Sequence, residues 1–159
     1  GNVNATKMGD KSPGAGGFID ITATAKNVIF CSTFTGGGLK TSFSDEGVKI
    51  EQEGKFRKLV KKVQQVSYNG KIALERGQNM LYVTERAVLR LTAEGPELIE
   101  IAKGVDLQLA HYLGGEDENQ HDILEQMDFV PKIAPELKVT DTAFYREGVC
   151  GLRSRIEGK

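Results

Sequence analysis

MLYVTERAVLRLTAEGPELIEIA, residues 80–102, decides the fold reading. MLYVTE, AVLRLT and ELIEIA follow one another as short apolar runs of strand length, rich in Val, Leu and Ile. Ala93-Glu94-Gly95-Pro96 breaks the last two, and a Gly-Pro pair in a polar gap marks a turn, so residues 86–101 are predicted to form a hairpin. Just upstream, GKIALERGQ at residues 70–78 holds one or two helical turns closed by Gly77. Strands beside short helices predict a mixed α/β domain.

Further towards the N-terminus, TSFS and VKIEQ flank Asp45-Glu46-Gly47, a second hairpin with glycine supplying the positive φ of the turn. FRKLVKKVQQVSY, residues 56–68, fits helix and strand spacing alike, and an extended reading towards Val66 is favoured. NVIFCSTF, residues 27–34, reads as a strand buried on both faces. FIDITATAK, residues 18–26, places Phe18, Ile21 and Ala25 at helical spacing, so a short helix is predicted to start at Gly16-Gly17. Residues 1–15 are polar and read as loop. On the C-terminal side, VDLQLAHYL and NQHDILEQMDF carry helical spacing, Pro131 and Pro135 force extended chain, and 136–159 read as a tail laid over a partner surface or domain.

The 159 residues suit one domain of 17.4 kDa. Acidic residues number 22 and basic residues 21, for a net charge of −1. That balance lacks the cationic surplus of a dedicated nucleic-acid binder. No apolar run approaches the ~20 residues that cross a bilayer. No signal peptide is visible in GNVNATKMGDKS, so the expected compartment is the cytoplasm. Cys31 and Cys150 lie outside any metal or redox spacing and read as buried or incidental thiols. His111 and His121 sit in an acidic, glycine-containing stretch that supplies no Cys, so it reads as solvated loop and no metal site is expected.

Glycine is the unusual component: 19 of 159 residues, about 12% against an average near 7%. The glycines cluster at Gly14, Gly16 and Gly17 and at Gly36, Gly37 and Gly38. Gly14-Ala15-Gly16-Gly17 leads into the predicted helix, where backbone N–H groups can face a phosphate, a carboxylate or a developing oxyanion. A tight loop without a ligand weighs equally, and for Gly36–Gly38 that reading weighs more. Glu85 lies between two predicted strands and reads as an exposed turn carboxylate rather than a nucleophile. No self-contained active site emerges.

GGFIDITATAKNVIFCSTFTGGGLK, then KFRKLVKKVQQVSYNGKIALERGQNMLYVTERAVLRLTAEGPELIEIAKGVDL, then DILEQMDFVPKIAPEL together resemble the C-terminal part of the family I CoA-transferases, of the acetate/propionate type. The resemblance implies the NagB/RpiA/CoA-transferase-like open α/β fold, with residues 1–159 forming a C-terminal segment of the second, β-subunit-like domain. It implies transfer of CoA between a short-chain acyl-CoA and a carboxylate through a glutamyl-CoA thioester. CoA is a substrate there, and no cofactor or metal is needed. The motif of the nucleophilic glutamate is absent from this chain, so that residue is expected upstream and the chain alone is expected to be inactive. Gly14, Gly16 and Gly17 are the implied oxyanion and CoA-binding residues; Lys7 or Lys11 could approach CoA phosphates, but the favoured reading of both is an exposed lysine near an N-terminal loop with no such role. Residues 109–121, LAHYLGGEDENQH, look like an insertion relative to the family pattern. A segment of this kind implies partners: the missing N-terminal portion or another subunit, and further copies in a homo-oligomer. A free-standing binding or assembly module that retains the fold is the second class of reading.

Overall fold

The computed structural model describes residues 1–105, Met127, Phe129 and 131–140. In chain order its elements are α1 (Phe18–Thr24), β1 (Asn27–Cys31), β2 (Thr35–Gly36), β3 (Lys40–Ser44), β4 (Gly47–Gln52) and β5 (Phe56–Arg57). Then follow α2 (Gly70–Glu75), β6 (Asn79–Val83), β7 (Ala87–Thr92), β8 (Gly95–Ala102) and β9 (Lys132–Thr140). Five strands form one mixed sheet in the order β1-β6-β7-β8-β9. β1 runs parallel to β6 and β8 parallel to β9, whereas β6-β7 and β7-β8 are antiparallel.

The predicted hairpin is β7-β8, closed at the Thr92–Gly95 pair with Gly95 at φ +116°. β3 and β4 form the second hairpin, with Gly47 at φ +133°. A Cβ at Gly47 would stand 2.1 Å from the Lys103 carbonyl oxygen, so glycine there also lets the hairpin tip meet the end of β8. Asn69 caps α2 by accepting the Ile72 N–H at 3.1 Å, and Gly77 ends the helix at φ +72° with its N–H on the Leu74 carbonyl.

Two apolar clusters hold the sheet. Phe34, Ala87, Leu89, Leu98, Ile101 and Met127 form one; Val28, Tyr68, Ala73, Met80 and Leu91 form the other. β7 contributes to both clusters, because it lies in the middle of the sheet.

Three expectations are corrected. β1 is not buried on both faces: Val28 alone of its residues is buried, because β1 is the edge of the sheet and only β6 lies beside it among the described residues. The fully buried Phe34 lies beyond the strand. The extended run towards Val66 is likewise absent. Beyond β5 the chain makes successive bends, and Val66 is left 49% exposed. The first part of the expected tail, 136–140, belongs to β9 inside the sheet. Pro135 fits there because the register slips between the Leu98–Ile133 and Glu100–Lys138 pairs. A proline without an N–H is tolerated at such an irregularity. Residues 141–159 and the two expected helices around the 109–121 insertion lie outside the described residues, apart from Met127 and Phe129.

Candidate functional site

The site is assembled at the end of the sheet where β1 and β6 finish. α1 precedes β1 and runs back against it. Phe18, the first residue of α1, stacks on Phe30 near the end of β1 with ring centroids 5.9 Å apart. This contact places the Gly14–Gly17 loop beside the C-terminal end of β1. The other end of α1 is clamped by Gln78, whose Nε2 donates to the Thr22 carbonyl at 2.8 Å and to the Ala25 carbonyl. Its Oε1 accepts the Tyr68 hydroxyl at 3.3 Å. Burial holds the Tyr68 phenol above its ordinary pKa, and it raises Tyr82 more strongly, with the nearby Tyr68 adding to the effect. Both phenols therefore stay protonated donors through neutral pH.

Gly14 and Gly16 adopt φ of +87° and +53°, and a Cβ at either would meet nothing within 4 Å. Glycine is needed there for backbone conformation, while the space in front is open. Gly17 differs: its φ is −81°, which any residue accepts. The Phe18 N–H is used by the Ala15 carbonyl at 3.1 Å, and the Ile21 N–H by the Gly17 carbonyl at 3.0 Å. Among the described residues no hydrogen bond engages the N–H of Gly16 or Gly17. The loop thus carries two backbone donors without a partner among the described residues, on glycines that are themselves exposed. α1 supports them weakly, being only 7 residues long with no side-chain cap.

Residues 3–11 feed this loop and are themselves fixed. Val3 pairs with Tyr68, the Ala5 N–H donates to Ser67 Oγ at 2.9 Å, and Gln64 exchanges two hydrogen bonds with the Gly9 backbone at 2.9 and 3.0 Å. Lys7 and Lys11 lie in this stretch, and Lys11 is exposed.

Sequence reasoning missed a second group of residues at the same end of the sheet. Arg86 is completely buried in the tight β6-β7 connection. Its Nε donates to Glu85 Oε1 at 2.7 Å, and its terminal nitrogens grip Glu53. The guanidinium carbon lies 4.9 Å from the centre of the Phe34 ring. Each carboxylate then fastens another piece of chain. Glu85 Oε2 accepts the Phe34 N–H at 2.8 Å, and Glu53 Oε2 accepts the Thr35 hydroxyl at 2.9 Å. The expectation of an exposed Glu85 is therefore corrected: its side chain is only 11% exposed and both oxygens are engaged. The signal available in the sequence was a Glu-Arg pair between two apolar strands, which has to be satisfied internally if the strands are buried.

Gly36–Gly38 are accounted for by packing. A Cβ on Gly37 would lie 2.7 Å from the Phe56 ring, and one on Gly36 would lie 3.2 Å from the Lys58 stem. Cys31 is exposed rather than buried, which leaves the incidental thiol of the two readings offered for it. Cys150, His111 and His121 lie outside the described residues. Among the described residues no three His, Cys, Asp or Glu side chains are placed to hold a metal ion. Within the same limits, no helix is long and apolar enough to cross a membrane.

No family model matches the chain. Individual proteins do. An acetate CoA-transferase of Escherichia coli, YdiF, is 46% identical over 151 residues, which are 95% of this chain and 26% of that protein. A caffeate CoA-transferase of Acetobacterium woodii is 41% identical over 164 residues, covering 100% of this chain and 29% of the relative. The structure of YdiF solved as a thioester complex with CoA superposes with a TM-score of 0.81 over 95% of this chain and 27% of that one. A decarboxylase, AibA/AibB, is similar in fold alone, with a TM-score of 0.53 and 16% identity. The chain spans about a quarter of the length of the transferases it matches. Over nearly its whole length, then, this α/β chain is homologous to a segment of the CoA-transferases.

Proposed function

We propose that the chain is part of a cytoplasmic CoA-transferase that moves CoA between a short-chain acyl-CoA and a carboxylate acceptor. The observation that carries this reading is the match to YdiF in its CoA thioester complex, at 46% identity over 95% of this chain. The nucleophile is a glutamate outside the chain. Its carboxylate oxygen attacks the acyl-CoA carbonyl, the C–S bond breaks, and CoA leaves as a thiolate. The thiolate then attacks the glutamyl carbonyl of the resulting anhydride and releases the acyl group as a carboxylate. CoA is now held as a glutamyl thioester, and an acceptor carboxylate repeats the two steps in reverse order.

Each attack places negative charge on a carbonyl oxygen, and fixed backbone donors lower that barrier without reorganising. We assign this role to the Gly14–Gly17 loop. Two of its properties support the assignment: the N–H groups of Gly16 and Gly17 have no partner among the described residues, and Gly14 and Gly16 leave the space before them open. The loop needs no cofactor for this task. Glu85 does not serve as the nucleophile, because Arg86 and the Phe34 N–H already hold both its oxygens.

The remainder of the enzyme, as the rest of the polypeptide or a second subunit, completes the pocket and covers apolar surface left exposed here. Ile21 at 72% and Val139 at 66% exposure are candidates for that contact. The isolated chain is accordingly expected to self-associate in light scattering, and a monodisperse monomer at high concentration counts against a covering partner.

Incubation of the complete enzyme with acetyl-CoA, followed by peptide mass spectrometry, tests the catalytic reading. A CoA adduct on a glutamate outside residues 1–159 is expected. An adduct on any acidic side chain within them, or transfer by the isolated chain, overturns it.

A further inference from the structure

Backbone donors stabilise an oxyanion only if they are already in place, and glycine adds no stiffness of its own. Around Gly14 and Gly16 a Cβ would meet nothing within 4 Å, and α1 is short and lacks a side-chain cap. The loop must therefore be steadied from outside. Phe18 follows Gly17 directly and is the first residue of α1. Its ring stacks on Phe30 with an interplanar angle of 29°. Phe30 stands opposite Tyr82 in the β1-β6 register, stacks on it at 5.5 Å, and meets Tyr68 edge-on at 5.1 Å. The two outer rings are tethered by their hydroxyls. Tyr68 donates to Gln78 Oε1 at 3.3 Å, and Tyr82 donates to the Gly1 carbonyl at 2.6 Å.

We propose that this four-ring cluster, centred on Phe30, is the positioning element that aims the Gly16 and Gly17 N–H groups at the reacting carbonyl oxygen. The inference rests on the oxyanion reading of the loop given above, and adds to it residues that act through the loop. One peptide bond joins Phe18 to Gly17, so a shift of the Phe18 ring is passed to the donors. Aromatic rings are flat and rigid, and their stacked and edge-on contacts fix an orientation that apolar burial alone does not. Leucine keeps the burial and loses the plane. Because the oxyanion exists only in the transition state, misaimed donors lower kcat and leave substrate binding as it was.

Steady-state transfer from acetyl-CoA to propionate by the complete enzyme tests this, with kcat expressed per folded protein from circular dichroism. Phe18→Leu and Phe30→Leu are each expected to lower kcat about tenfold, with KM for acetyl-CoA within about twofold of the unmodified enzyme. Phe18→Tyr keeps the ring and should restore kcat. Leu98→Val, a packing loss in the other apolar cluster, should leave kcat unchanged. Phe18 is only half-buried, so its variants carry the test if Phe30→Leu does not fold. Unchanged kcat in both leucine variants, an equal fall in Leu98→Val, or a raised KM at constant kcat overturns the positioning role. If Gly16→Ala lowers kcat in the same series, the oxyanion reading survives that result. Unchanged kcat in Gly16→Ala overturns the oxyanion reading, and the positioning role with it.

Discussion

The Gly14–Gly17 loop and the Arg86 cluster stand at the same end of the sheet and are built in opposite ways. The loop has no charge, little packing, and two N–H groups without a partner among the described residues. The cluster has two carboxylates and a guanidinium, yet all of them are turned inward and engaged. A residue's chemical reactivity on paper is thus a poor guide to its duty. Here the charged groups secure the chain around β2 and β5, and the backbone N–H groups of Gly16 and Gly17 are the ones left without a partner among the described residues. A buried guanidinium facing two carboxylates is costly to dehydrate, and its value lies in tying Phe34, Thr35 and Glu53 to the end of the sheet.

The comparison breaks most visibly at Arg86. Replacing it with Met removes the buried guanidinium that Glu53 and Glu85 share, and a loss of about 3–5 kcal/mol in urea unfolding is expected. Restoring neutrality with Glu53→Gln and Glu85→Gln in the same protein should recover part of that loss. Full stability of the single Arg86→Met variant would show that the cluster does not secure the fold.

Next comes Gln78→Ala, which removes the clamp between Tyr68 and α1. Burying two carbonyls without their donor should cost about 1–3 kcal/mol. The same change should speed hydrogen exchange in α1 more than in α2, where Asn69 supplies a separate cap.

The glycine loop sharpens the contrast. Gly14→Ala and Gly16→Ala each force a side chain into left-handed backbone, at about 1–2 kcal/mol. Gly17→Ala, at an ordinary φ, should leave thermal unfolding almost unchanged. In the complete enzyme, Gly16→Ala should lower kcat beyond any loss of folded protein, because the donor geometry shifts. An unaltered kcat would count against the loop as an oxyanion site.

The smallest effects are on the surface. Glu51 is held below its ordinary pKa, first by the Ser42 hydroxyl and then by Lys49. Its contribution is therefore present above the unfolded-state value and disappears as pH falls through the lower folded value. Lys132 has the opposite sign: the hydrogen bond to Glu94 raises it, so its contribution is present below the unfolded value and fades as pH climbs through the raised one. Ser42→Ala should flatten the acid limb of the stability profile slightly and leave the alkaline limb alone.

Local chemistry made much of this protein legible in its sequence. Gly95 and Gly47 mark hairpins because their turns need positive φ, Gly77 ends α2 for the same reason, and apolar runs of strand length became β6, β7 and β8. The helix after Gly17 was legible from its spacing, and the glycine loop before it from its composition. Relations between distant residues were not. Whether β1 is central or an edge depends on what lies beside it, and whether Glu85 faces water depends on Glu53 and Arg86 closing over the sheet end. Residues 56–68 carry apolar positions compatible with two periodicities, and only their attachment to residues 3–9 selects neither. Turn geometry is fixed within a few bonds and is written in the sequence, whereas burial and charge pairing are sums over neighbours that only folding brings together.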